Sequence, residues 1–168
     1  MYETILFPTD GSDGADAALE HAVDHARQYD ATLHVLFVAD TDAVHSGMVG
    51  EEHDGVAQSE MVGEEHEQEQ PSGLVNEEHE DAVTAHAEQV VSDTADAIDD
   101  DVAVETAVWS GNPFKRILDY SDESDADLIV MGTHGRTGVD RYLLGSVTEK
   151  VVRAADAPVL TVRLGNPE

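Results

Sequence analysis

No cysteine occurs among the 168 residues, which excludes a disulfide framework and a thiolate metal centre and leaves His, Asp and Glu as the strong metal ligands. Basic residues are also scarce, eight Lys and Arg against thirty-seven Asp and Glu, for a formal net charge of −29. Such a surface repels nucleic-acid phosphates and anionic lipid, so neither nucleic acid nor a membrane is expected as a partner. The N-terminus lacks a basic region followed by an apolar stretch, and nowhere do about 18 apolar residues run together. A soluble cytoplasmic protein is therefore expected. Apolar residues are 40% of the chain, low for a globular protein but clustered in segments, which predicts a folded core with a mobile polar part. The length suits one domain spanning 1–168.

The acidity has two readings. Concentrated salt screens repulsion within about 3 Å at 1 M, so a salt-adapted host accounts for it, and an acid-specific partner is the alternative. The few cations are unevenly placed. Between Arg27 and Lys115 there is no Lys or Arg, whereas Arg136, Arg141, Lys150 and Arg153 fall within or just after a glycine-rich segment. A protein this acidic needs local cations to hold an anion.

Tyr2 to Pro8 is a short β-rich apolar run that ends in the turn signal Pro8-Thr-Asp-Gly-Ser12, so it reads as a strand. Ala15, Ala18, Leu19, Ala22, Val23 and Ala26 then form the stripe of an amphipathic helix. Thr32 to Val38 is nearly continuous apolar sequence, as in a strand buried on both faces of a parallel sheet. From about 40 to 74 the chain is polar and acidic, with MVGEEH at 48–53 and 61–66 and LVNEEH at 74–79. We read this as a local duplication in a disordered or loosely helical surface insertion.

A helical stripe resumes from Val83 through Ala87, Val90, Val91, Thr94 and Ile98, and Val102 to Trp109 alternates as a strand. Asn112-Pro113 supplies an N-cap and an N1 proline for a helix carrying Ile117 and Leu118. Leu128 to Met131 and Pro158 to Leu164 read as further strands. Between them Ser146-Val-Thr-Glu149 has the spacing of a capping box. Five strands separated by four helices predict a parallel α/β sheet with right-handed crossovers, whose ligands bind at the C-terminal strand ends where strand order reverses. Pro8, Thr9, Asp10, Val38 and Gly132 onward would then share one crevice.

A polyphosphate needs inward-pointing N–H donors and backbone that side chains do not obstruct. Gly132, Gly135 and Gly138, directly after the strand at 128–131, can form such a cradle. Gly145-Ser146 opens a helix whose first amides and dipole favour an anion. Arg136 and Arg141 could add charge-assisted hydrogen bonds, and the hydroxyls of Thr133, Thr137, Ser146 and Thr148 are further candidates. If Ser146 caps the helix at Glu149, the amides of Val147 and Thr148 become the surer contacts. The segment matches neither the Walker A pattern nor the dinucleotide fingerprint. Local physics leaves open that the glycines only turn the chain.

The order ILFPTDGS, VMGTHGRTG, LLGSVTEKV, APVLTV resembles the universal stress protein family. Its ATP signature G-2x-G-9x-G-[S/T] is met by Gly132, Gly135, Gly145 and Ser146. The resemblance implies a Rossmann-like sheet of order 3-2-1-4-5 and a homodimer formed through Pro158–Leu164. It also implies ATP, with a divalent cation such as Mg²⁺, held as follows: Pro8, Thr9, Asp10 and Val38 around adenine and ribose, with Gly132, Thr133, His134, Gly135, Arg136, Thr137, Gly138, Gly145, Ser146, Val147 and Thr148 around the phosphates. The function that the resemblance implies is that of a nucleotide-binding regulatory protein of the stress response.

His134 suits proton transfer, but nothing in the local sequence orients it as a base, so a loop-packing role is expected and catalysis is at most weak ATP hydrolysis. Slow hydrolysis or phosphoryl transfer is the enzymatic alternative. A third reading is an interaction or metal-buffering module acting through 40–80; His45, His53, His66, His79 and His86 lie in or near that acidic segment. The 13-residue spacing of His53, His66 and His79 does not align ligands on one helix face, which favours a solvated charged segment.

Overall fold

The computed structural model describes residues 1–41, 74–134 and 144–165. Its elements run β1 (Thr4–Thr9), α1 (Asp13–Tyr29), β2 (Thr32–Ala39), α2 (Leu74–Asp96), β3 (Val104–Ser110), α3 (Pro113–Glu123), β4 (Leu128–Gly132), α4 (Ser146–Ala154) and β5 (Val159–Val162). The strands form one sheet of order β3-β2-β1-β4-β5, with every neighbouring pair parallel. The chain therefore leaves β1 toward β2 and β3, then returns past it to β4 and β5.

The alternation of side chains along β1 explains how the two faces are covered. Ile5 and Phe7 point into a core completed by Ala18, Ala22 and Ala26 of α1 and by Ala87 and Val91 of α2. Leu6 points the other way, toward Ile117 of α3 and Val151 of α4. The small residues of α1 let that helix lie close to the sheet. Burying side chains such as Ile5, Leu6, Phe7, Leu33 and Ile129, each no more than 1% exposed, contributes about 1.5–3 kcal/mol apiece.

Helix α1 starts where Ser12 accepts a hydrogen bond from Ala15 N at 3.3 Å and stops at Asp30, whose φ of 56° is left-handed. Helix α2 begins at Leu74, nine residues before Val83, where its apolar stripe begins. The sequence from 74 to 82 is rich in good helix formers but carries no sustained stripe, so periodicity missed that end. The proposed insertion at 40–74 lies almost wholly outside the described residues. Asn112 occupies the N-cap of α3 with Pro113 behind it, although no side-chain cap hydrogen bond forms.

Two polar contacts close the bottom of the sheet, opposite the C-terminal strand ends. Arg27 at the end of α1 reaches Asp99 at 2.6 Å and Asp101 at 2.8 Å, tying α1 to the turn before β3. Asp127, just before β4, accepts hydrogen bonds from Glu3 N at 2.7 Å and Thr4 N at 3.0 Å. Those two amides hold the Asp127 carboxyl below the usual carboxylate range. A depressed folded-state value gives stability that is complete above the unfolded carboxylate pKa, about 3.9, and is lost as pH falls through the folded value. Asp127→Ala should therefore be less stable than the parent at neutral pH, with the gap closing as pH falls below about 4. Denaturant melts across that range check this, and a gap unchanged in acid would contradict it.

Candidate functional site

Strand order reverses at β1, and the C-terminal strand ends open there onto a cavity of about 600 Å³. The β1–β4 ladder is recorded at Ile5↔Leu128 and Leu6↔Ile129. Pro8, which has no N–H, comes after it, at the mouth of the crevice. Pro8, Thr9 and Asp10 line the cavity's middle. The turn that follows is held by side chains: Thr9 Oγ1 accepts from Gly11 N at 3.1 Å, and Asp10 Oδ1 accepts from Ser12 N at 3.0 Å. Gly11 takes φ 71° there, a conformation that disfavours any side chain. Asp10 is thus both a turn residue and a wall of the cavity.

One end of the cavity is formed by Gly132 and His134 after β4 and by Gly145, Ser146, Val147 and Thr148 at the start of α4. The first intrahelical hydrogen bond of α4 runs from Glu149 N to Gly145 O at 2.9 Å. Hence the amides of Ser146, Val147 and Thr148 have no acceptor within the helix. They form a positive N-terminus facing the cavity, suited to an anion.

The capping-box expectation is corrected here. The N-cap is Gly145, with no side-chain cap hydrogen bond, and Ser146 is the first helical residue, so its hydroxyl does not stand at the capping position. Glu149 instead pairs with Arg153 at 2.8 Å. The reason lies in the loop that delivers the chain: Gly145 N donates to Thr133 O at 2.7 Å, which anchors Gly145 and starts the helix one residue earlier than the pattern implied.

Thr148 and Thr133 support the framework of this end. Thr148 Oγ1 donates to Gly132 O at 2.9 Å in a buried site, a bond whose loss would leave a buried carbonyl unsatisfied at about 1–3 kcal/mol. Thr133 N donates to Val162 O at 2.9 Å, and Thr133 Oγ1 shares a 3.0 Å hydrogen bond with His134 Nδ1. Thr133 is buried and is not among the residues lining the cavity. Gly135, Arg136, Thr137, Gly138 and Arg141 lie outside the described residues.

The signature glycine at 132 has a packing reason. A Cβ there would stand 2.5 Å from Gly14 O, and a Cβ on Gly14 would collide with His134 O. Strand β4 and the first turn of α1 approach backbone to backbone, which only paired glycines allow. Gly14 was not singled out from sequence.

The other end is the tip of β2, with Phe37, Val38, Ala39 and Asp40, faced by Ala82, Val83 and His86 of α2. His86 meets Phe37 edge to face, ring centroids 6.1 Å apart. The far wall comes from Pro113 and Ile117 of α3 and Met131 of β4. Of the sequence candidates, the structure brings together Pro8, Thr9, Asp10, Val38, Gly132, His134 and Gly145 to Thr148. Sequence reasoning missed His86, because that histidine was grouped with the acidic segment and not with the strand ends.

A parallel sheet with helices on both faces and a crevice at its switch point defines a Rossmann-like α/β protein. Residues 1–163 match the profile of the universal stress protein family. The chain belongs to that family. It is 35% identical to universal stress protein MJ0531 of Methanocaldococcus jannaschii over 97% of this chain and 83% of that one. The solved structure of MJ0577 from the same organism covers 99% of both chains at 26% identity with a TM-score of 0.77. A universal stress protein solved in complex with cAMP has a TM-score of 0.64 at 22% identity, covering 98% of both chains, and shares the fold.

The Gly14–Gly132 contact makes a prediction. Gly14→Ala should gain up to about 1 kcal/mol in helix propensity but lose about 1–3 kcal/mol to overpacking against His134 O. A lower thermal midpoint is expected, and a variant as stable as the parent would remove the contact from the account.

Proposed function

We propose that the cavity holds an adenosine nucleotide, ATP with Mg²⁺ in its full form, and that the protein acts as a nucleotide-dependent regulator in the stress response. The observation that carries this is the polarity of the cavity: helix-start amides and bare glycine backbone at the β4–α4 end, and an apolar tip of β2 at the other. A ligand with a polyanionic tail and a flat hydrophobic head matches both. The phosphates meet Gly132, Gly145, Ser146 and the amides of Val147 and Thr148, and Asp10 accepts from a ribose hydroxyl while Pro8, Thr9 and Val38 flank the nucleoside. Gly135, Arg136, Thr137 and Gly138 complete the phosphate loop under the family signature. Mg²⁺ rides on the triphosphate, since the protein groups at that end are amides and hydroxyls.

The hydrogen bond between His134 and Thr133 supports a positioning role for His134, with turnover slow or absent. The likeness to the cAMP-bound relative speaks for the fold alone, so the choice of ATP rests on the family signature and the polarity of this cavity. As the edge strand, β5 is half-buried from Val159 to Thr161, and Leu164 beyond it is 53% exposed. These features support a homodimer through Pro158–Leu164. The same reading gives a soluble cytoplasmic protein, single-domain over 1–168, from a salt-adapted host. Among the described residues no helix is long and apolar enough to cross a membrane.

Titration calorimetry with Mg²⁺-ATP in concentrated salt should give saturable binding. Gly145→Asp, which sets a carboxylate against the phosphates, should weaken it at least about a hundredfold, the scale of an uncompensated like charge in a desolvated site. Absence of binding by the parent protein would end this reading.

A further inference from the structure

The two ends of the cavity lie on opposite sides of β1. Strand β2 flanks it on one side and β4 on the other, so the tips of β2 and β4 are two strand spacings apart, about 10 Å. That is the span of a nucleotide from its phosphates to its base. With phosphates against the start of α4, the base falls at the β2 tip, under α2. Phe37, Val38, Ala39, Ala82 and Val83 offer apolar side chains there, which bind any flat ring without telling one base from another. Selectivity needs a hydrogen-bonding group aimed at the base edge. At this end the polar side chains lining the cavity are His86 and Asp40. The carboxylate of Asp40 only accepts, whereas the imidazole of His86 presents both a donor and an acceptor, and its ring is held against Phe37.

We propose that His86 is the base-reading residue of this cavity, hydrogen-bonding the edge of the adenine ring from α2. This rests on the nucleotide reading above and adds a contact from outside the glycine-rich signature. It also joins the ligand to the helix that follows the acidic segment, so an occupied site bears directly on α2. His86 contacts the base and leaves the phosphates alone. Removing it should weaken every adenine nucleotide by the same factor and narrow the preference for adenine over hypoxanthine, which carries a carbonyl in place of the amino group.

The test is the affinity of AMP, IMP and ATP for the parent, His86→Ala, His86→Gln and His21→Ala, measured by calorimetry in concentrated salt with circular dichroism to verify the fold. His86 is exposed on α2, so His86→Ala should fold. It should bind AMP and ATP about three- to tenfold more weakly, the scale of one lost hydrogen bond, with the AMP-to-IMP ratio moving toward one. His86→Gln, which keeps a donor and an acceptor, should retain part of that ratio, and His21→Ala, on α1, should match the parent. If the parent binds nucleotides and His86→Ala keeps the parent's AMP-to-IMP ratio, this proposal falls and the nucleotide reading stands. If the parent binds none of them, both fall together.

Discussion

The placement of β1 governs the rest of the molecule. Because it pairs with β2 on one side and β4 on the other, the chain must cross it, and right-handed crossovers then put α1 and α2 on one face and α3 and α4 on the other. Each residue of β1 from Ile5 to Phe7 faces one of the two cores and is almost fully buried. The same arrangement leaves a gap at the C-terminal tips that no strand fills. Thr9, Asp10 and the turn to Ser12 stand at that gap for the same reason that Leu6 stands in the core.

What suits the gap to an anion is a small set of backbone contacts. Gly14 and Gly132 bring α1 and β4 together, Thr148 ties α4 to Gly132, and Gly145 is tied to Thr133. These bonds satisfy the surrounding carbonyls and leave the first amides of α4 directed at the cavity. At Gly132, close packing against Gly14 is by itself a reason for glycine. In a chain of net charge −29, the first amides of α4 add to the attraction that its few lysines and arginines exert on an anion.

Much of this was legible in the sequence because it rests on periodicity and on glycine spacing. The apolar run at 32–38 and the helical stripe at 15–26 each identified an element, and the order of elements gave the parallel sheet. The start of α2 was not legible, since the residues after Leu74 carry no sustained apolar stripe, and neither was the displacement of the α4 cap from Ser146 to Gly145, which depends on a hydrogen bond to Thr133 twelve residues away in sequence. Gly14 and His86 escaped for a related reason: both matter through contacts with distant strands, Gly132 in one case and Phe37 in the other, and local patterns carry no trace of those.

The account turns on the amides at the start of α4 receiving phosphate. The most direct measurement is the backbone amide NMR spectrum of the protein titrated in parallel with Mg²⁺-ATP and with adenosine. The account predicts that Ser146, Val147 and Thr148 amides shift strongly with ATP and little with adenosine, while residues at the tip of β2 respond to both. Equal responses of the α4 amides to the two ligands, or ATP responses that bypass them, would contradict it.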